Sequence, residues 1–308
     1  MLPAKVWRVY FVGICVMYNK LMRLKFTQIV FKILLPTILF TLPFYIPLYE
    51  YGFQIEPLLY VTPVAFAVLA GFFIATATSN YLNLQTLVAE EDATLIAIYN
   101  LSKLLDSVQA EKVADAIDNY LTKAFDFQFS TYTEWTIQEF DPIIVSVDEI
   151  QPSSVTPAQE AVLPLLHEAK VNLFKTRQSI ALTAPRIVNL THWFVLGTLA
   201  VANIVLLFGV RTGSPLLNVI LGLTSGAIYM VLVILYEIDG DIFQDENLSY
   251  LNSQKVFRAI DRLEYFPEEA IRGGKIEKKN LPNRYRVGTY KDFPRSQEKE
   301  IRIVEKSK

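Results

Sequence analysis

Apolar residues in this chain gather into four long blocks, separated by segments of mixed character. The clearest block is Leu58–Asn83, LLYVTPVAFAVLAGFFIATATSNYLN. It stays apolar for about 20 residues, long enough to cross a bilayer as a helix. Ala67, Gly71, Ala75 and Ser79 recur at every fourth position and so line one helical face with small residues. In lipid, packing rather than water exclusion drives helix association, and such a face lets another helix approach closely. Phe66, Phe72, Phe73 and Ile74 fall elsewhere around the helix, and Thr76, Thr78, Ser79 and Asn80 give it a polar exit. The pattern suits a helix that lines a pore; it suits equally the central helix of an inert bundle.

The remaining blocks predict three more spans. The first covers roughly Thr27–Tyr49, where Pro36, Pro43 and Pro47 predict kinks and Lys32 lies close enough to the start to snorkel. The third covers Ile187–Val210 and the fourth Leu216–Tyr236, with only the tight link Arg211–Pro215 between them. Asn203 sits at membrane depth, where an interhelical hydrogen bond is expected. Ahead of the first span, Lys5, Arg8, Lys20 and Arg23 flank an apolar run. Two readings stand for it: an interfacial helix on an anionic leaflet, or a basic lead-in to the span.

Between the second and third spans the period is helical. Leu84, Leu87, Val88, Leu95, Ile98, Tyr99 and Leu105 share a face, as do Val113, Ile117, Tyr120, Leu121 and Phe125. Pro142, Pro152 and a Ser-Ser pair predict a loop over Phe140–Thr156. Thr156-Pro157 then reads as an N-cap and first helical residue, and that helix should stop before Pro185. After Tyr236 the chain turns charged. One amphipathic helix is expected over Asn252–Tyr265, followed by a basic, largely mobile tail with Lys275, Lys278, Lys279, Arg284 and Arg286.

These elements predict an all-α integral membrane fold with four transmembrane helices and a helical cytoplasmic region. The organisation is an interfacial helix and spans one and two over 1–80, and a cytoplasmic helical segment over 81–186. Spans three and four follow over 187–236, then an acidic segment, helix and basic tail over 237–308. Lys and Arg crowd the N-terminal segment and the tail but are absent from the first short loop. The positive-inside rule therefore puts both termini and the middle segment in the cytoplasm.

Composition narrows the function. With 52% hydrophobic and 19% charged residues the chain is more apolar than a globular average. A net charge of −2 gives no general attraction to nucleic acid. The single cysteine, Cys15, rules out an internal disulfide framework and reads as apolar filler. His167 and His192 have no metal-ligand spacing, and phosphate-binding, dinucleotide and nucleophile-elbow motifs are missing, so an enzyme is not expected. Glu90, Glu91 and Asp92 read as a solvated helix face. Glu237, Asp239, Asp241, Asp245 and Glu246 form a denser cluster that can offer oxygen ligands to Ca²⁺, although its spacing is not that of an EF-hand. A solvated membrane exit explains the same cluster.

Two stretches carry a family resemblance. Pro63-x-x-Phe66, Gly71-Phe72-Phe73-Ile74 and Ser79-Asn80-Tyr81-Leu82-Asn83 resemble the second transmembrane helix of bestrophins. Glu237-Ile238-Asp239, Phe243, Asp245-Glu246-Asn247-Leu248 and Arg258-Ala259-Ile260-Asp261 resemble the stretch after their last span. The resemblance implies a homo-oligomer, a pentamer in bestrophins, embedded in the lipid bilayer and conducting small anions such as chloride. It implies a pore constriction at Thr62, Phe66, Phe72 and Ile74, gated by dewetting. It also implies a calcium clasp, onto which Asp241, Asp245 and Glu246 map; no other cofactor is expected. Two departures bear on these roles. Gly240-Asp241-Ile242-Phe243 stands where bestrophins have Pro-Phe-Gly, and Asn80-Tyr81-Leu82 replaces an Arg-Trp-Trp-like exit. The alternative function is a non-conducting membrane scaffold whose cytoplasmic helices and basic tail bind a partner or anionic lipid.

Overall fold

The computed structural model describes residues 30–45, 56–126, 133–150, 156–185, 187–210, 214–239, 253–273, 276, 278–290 and 299–306. The N-terminal interfacial segment, Cys15 and the residues Asp241, Asp245 and Glu246 lie outside them. In chain order the helices are α1 (Leu35–Tyr45), α2 (Glu56–Leu105), α3 (Ser107–Ala124), α4 (Ile137–Asp148), α5 (Pro157–Thr183), α6 (Leu190–Gly209) and α7 (Pro215–Asp239). A smaller set follows: α8 (Gln254–Ala259), β1 (Tyr265–Pro267), α9 (Glu268–Arg272), β2 (Arg284–Tyr290) and β3 (Lys299–Glu305). The chain divides into two compact units, Met1–Ala77 with Ile187–Gly240 and Thr78–Arg186 with Asp241–Lys308.

The first unit holds the apolar helices. Among the described residues, α2, α6 and α7 are each long and apolar enough to cross a membrane. The expected first span is described over 30–45 only, where an apolar helix of shorter length runs over Lys32–Tyr45. Its start is a wide π turn, Val30–Leu34, just ahead of Pro36, which has no N–H to give to the carbonyl one turn back. One residue on, Thr37 donates its hydroxyl to Ile33 O at 2.6 Å. α7 lies directly against α1 at Gly222, where a Cβ would stand 2.5 Å from the Phe40 carbonyl oxygen. Only glycine permits that approach. At the end of α7, Glu237 pairs with Lys32, while Asp239 Oδ1 accepts from the backbone N–H groups of Ile187 (2.9 Å) and Val188 (3.0 Å).

The second unit is built on a continuous apolar core. It draws Leu95 and Ile98 from α2, Val113 and Ile117 from α3, Ile143 from α4, Leu173 from α5, and Phe257, Tyr265 and Phe266 from the C-terminal segment. Asp106 caps α3, accepting from Val108 N and Gln109 N. Thr156 and Gln159 close a reciprocal capping box on α5, with Pro157 at its first position, as the sequence predicts.

Three expectations are corrected here. The loop predicted over Phe140–Thr156 is helix α4 as far as Asp148, with Pro142 in its interior, while residues 151–155 of that stretch lie outside the described residues. Phe140, Ile143 and Val147 are buried at helical spacing, and about 1.5–3 kcal/mol for each buried apolar side chain outweighs the ~3 kcal/mol cost of the proline. The helix expected over Asn252–Tyr265 is only α8; Asp261 takes a left-handed backbone (φ 57°) and turns the chain into β1. The tail expected to be mobile, of which Lys275 lies outside the described residues, instead contributes two strands to a three-stranded sheet of order β1-β2-β3, so the fold is mainly, not wholly, helical. β1 pairs parallel with β2, and β2 pairs antiparallel with β3 from Arg284↔Glu305 to Tyr290↔Lys299. Gly288 leaves room for the Tyr265 ring, whose hydroxyl lies where a Cβ would be.

Basic residues of this C-terminal segment bind one stripe of α3. Arg262 Nη2 contacts Glu111 and Asp115, each at 2.7 Å, and Arg286 makes a bidentate pair with Asp118. Farther along, Lys299 Nζ donates to Thr122 O (2.8 Å) and Asp126 Oδ2 (3.0 Å), and stands 4.1 Å from the centre of the Tyr265 ring. Burial pushes the Lys299 ammonium down to about 8 and raises the Asp126 carboxyl above its ordinary range.

Candidate functional site

α2 has two unlike faces within the first unit. On one, Phe66, Ala70, Phe73 and Ala77 are buried with Leu196 and Ala200 of α6, Leu235 of α7 and Val188. Their spacing of four, three and four residues is the pattern of a helix seam. Alternate large and small side chains interlock there, and the His192 ring lies 4.7 Å from that of Phe73. Asn203, only 2% exposed, fixes this seam near its other end. Its Nδ2 donates to Leu199 O (2.9 Å) and Thr62 O (3.3 Å), and the Thr62 hydroxyl donates to its Oδ1 (3.0 Å). This is the interhelical bond expected of Asn203.

Among the described residues, nothing covers the other face. Ala67, Gly71, Ala75 and Ser79 are all exposed, and nothing lies within 4 Å of where a Gly71 Cβ would be. Phe72 beside them is 61% exposed, and Val61, Val64 and Val68 continue the stripe. The four residues assigned to a constriction therefore do not converge in the single chain. Phe66 is buried in the seam, Ile74 packs partly against it, Thr62 is tied to Asn203, and Phe72 faces outward.

Of the acidic cluster, Glu237 and Asp239 are the described members, and both serve protein partners. Among the described residues no group of three or more His, Cys, Asp or Glu side chains could hold a metal ion.

The second unit buries polar residues that the sequence pattern missed. Glu90 is exposed, but Glu91 and Asp92 are not, which corrects their reading as a solvated face. Glu91 Oε1 accepts the Tyr120 hydroxyl at 2.6 Å, and Arg177 Nη1 donates to the same Tyr120 oxygen at 2.7 Å. Arg177 also bonds Thr133 O and Thr136 Oγ1 and lies 4.3 Å from the Phe140 ring centre. A buried cation needs this many partners to offset its lost hydration. Glu91 and Arg177 are 86 residues apart, and no local spacing could have linked them.

No curated protein and no solved structure matches the chain. The model of the Bestrophin-like domain matches residues 54–242, which take in everything from the start of α2 to the end of α7. That match spans more than half of the 308 residues, so this chain, with its three bilayer-length apolar helices, belongs to the bestrophin-like family of membrane proteins.

Proposed function

We propose that the chain is one subunit of an oligomeric, anion-selective ion channel whose pore is lined by α2. Family membership supports a channel. The observation that carries the rest is the uncovered face of α2, where the small residues Ala67, Gly71, Ala75 and Ser79 adjoin the exposed ring of Phe72. Small residues admit close helix approach between copies, and a ring of phenylalanines narrows and dewets the axis they surround. Phe72 is the constriction residue in this reading. Phe66 and Ile74 brace α2 from behind, and Thr62 holds its rotation through Asn203. A fivefold assembly, both termini in the cytoplasm, four spans in all, and calcium control through Asp241, Asp245 and Glu246 belong to the same proposal.

Purified protein reconstituted in vesicles tests it. Chloride efflux above that of empty vesicles is expected, with Phe72→Ala raising it severalfold. Absence of flux with calcium chelated and with calcium added, from protein that is visibly oligomeric, would leave the scaffold reading in its place. That reading draws little from the tail, because Arg286 and Arg284 are already paired with Asp118 and Glu305.

A further inference from the structure

Asp92 lies on α2 roughly 18 Å past Asn80, at 1.5 Å per residue, and so beyond the apolar stretch. It is 3% exposed, beside Glu91 at 4%. Glu91 is satisfied by Tyr120, but Asp92 is held more sparingly. Its Oδ2 accepts the Ser253 hydroxyl at 2.7 Å, and Lys255 Nζ stands 4.0 Å away on a side chain that is 46% exposed. Among the described residues, an ionised carboxylate here has one neutral donor, a distant and hydrated cation, and a like charge next door. Burial under those conditions disfavours the charged form. Ser253 is the residue at the head of α8, and behind it Val256, Phe257 and Ile260 enter the core fully buried. The carboxyl therefore sits where residues 253–260 dock on α2.

We propose that Asp92 is a proton switch for this docking: the protonated carboxyl holds residues 253–260 against α2, and the ionised one loosens them. A protonated carboxyl keeps Ser253 as a partner, since it both accepts and donates. Burial, chiefly, pushes Asp92 up to about 7; Glu91 adds to the rise, while Ser253 and Lys255 oppose it. The docked state thus binds a proton that the released state gives up. Docking is strongest in acid, weakens as pH rises to about 7, and is level above that.

Hydrogen exchange of the full chain, from about pH 5 to about pH 9, tests the switch when peptides covering 253–260 are corrected for intrinsic rates against peptides of α5. The opening constant is expected to rise by about tenfold per pH unit at its steepest and to flatten above about pH 7. In Asp92→Asn, protection should be high and independent of pH. Should that variant fail to fold, Ser253→Ala decides: with the hydroxyl that favours ionisation gone, the profile should persist with its plateau shifted to higher pH. A flat wild-type profile, an Asp92→Asn protein that keeps the slope, or a Ser253→Ala plateau that stays in place or moves down overturns the proposal.

Discussion

Asn203 and Gly222 show how single residues set the packing of the apolar helices. Asn203→Ala removes the two bonds to Thr62 and should lower the unfolding free energy by about 1 kcal/mol, at roughly 0.6 kcal/mol for each intramembrane hydrogen bond. Gly222→Ala acts sterically, because its Cβ meets backbone rather than a movable side chain. About 1–3 kcal/mol of overpacking cost is expected, measured by denaturant titration in detergent. The two phenylalanines of α2 should separate cleanly. Phe66→Ala empties a buried site and should cost about 3 kcal/mol or more, with flux falling only as folded protein falls. Phe72→Ala should leave subunit stability within about 0.5 kcal/mol and change flux instead. The reverse assignment of effects would remove Phe72 from the pore.

At the scale of elements, α4 offers the sharpest test of local against tertiary preference. Pro142 is exposed and interior to the helix, so Pro142→Ala should raise the melting temperature by relieving about 1 kcal/mol or more. A drop would mean that the proline ring itself is packed. The sequence made α2's apolar stretch, the Thr156-Pro157 helix start and the two later spans legible, because each rests on a local signal: length, an N-cap followed by proline, an unbroken apolar run. Helix was expected on both sides of Asn83, from the apolar run before it and the Leu84–Leu105 face after it, but the polar residues from Thr76 onward suggested an exit between them, so their union in one unbroken helix was not legible. The sheet was illegible for a different reason. β3, KEIRIVE, is exposed along most of its length, and its apolar alternation is only Ile301 and Ile303 among charged residues, too short to mark a strand. Its attachment comes from the ladder to β2 and from Lys299 reaching Asp126, 173 residues away. Of the candidate face of α2, the small-residue stripe is visible in the spacing. Which phenylalanine faces outward is not, because that depends on the azimuth that α6 and Asn203 impose.

For the whole molecule, assembly is the measurement with most consequence. Mass determination in detergent should find a discrete oligomer, and Gly71→Leu should break it into smaller species while leaving the subunit folded, since the space beside Gly71 is open in the single chain. An unchanged mass would show that this face is not the contact between copies. The acidic stripe of α3 bears on a different matter, the order in which the chain is made. Glu111, Asp115, Asp118 and Asp126 leave the ribosome long before Arg262, Arg286 and Lys299, the cations that meet them. Until synthesis ends, three carboxylates along one side of α3 and a fourth just past its end stand with mutual repulsion beside an uncapped core edge. A chain stopped after Ile260 never receives those cations, nor Tyr265 and Phe266. Premature termination there should yield a product that inserts its apolar helices and is then cleared by proteolysis, whereas a stop after Tyr290 keeps Tyr265, Phe266, Arg262 and Arg286 and forfeits β3 with the Lys299 tie.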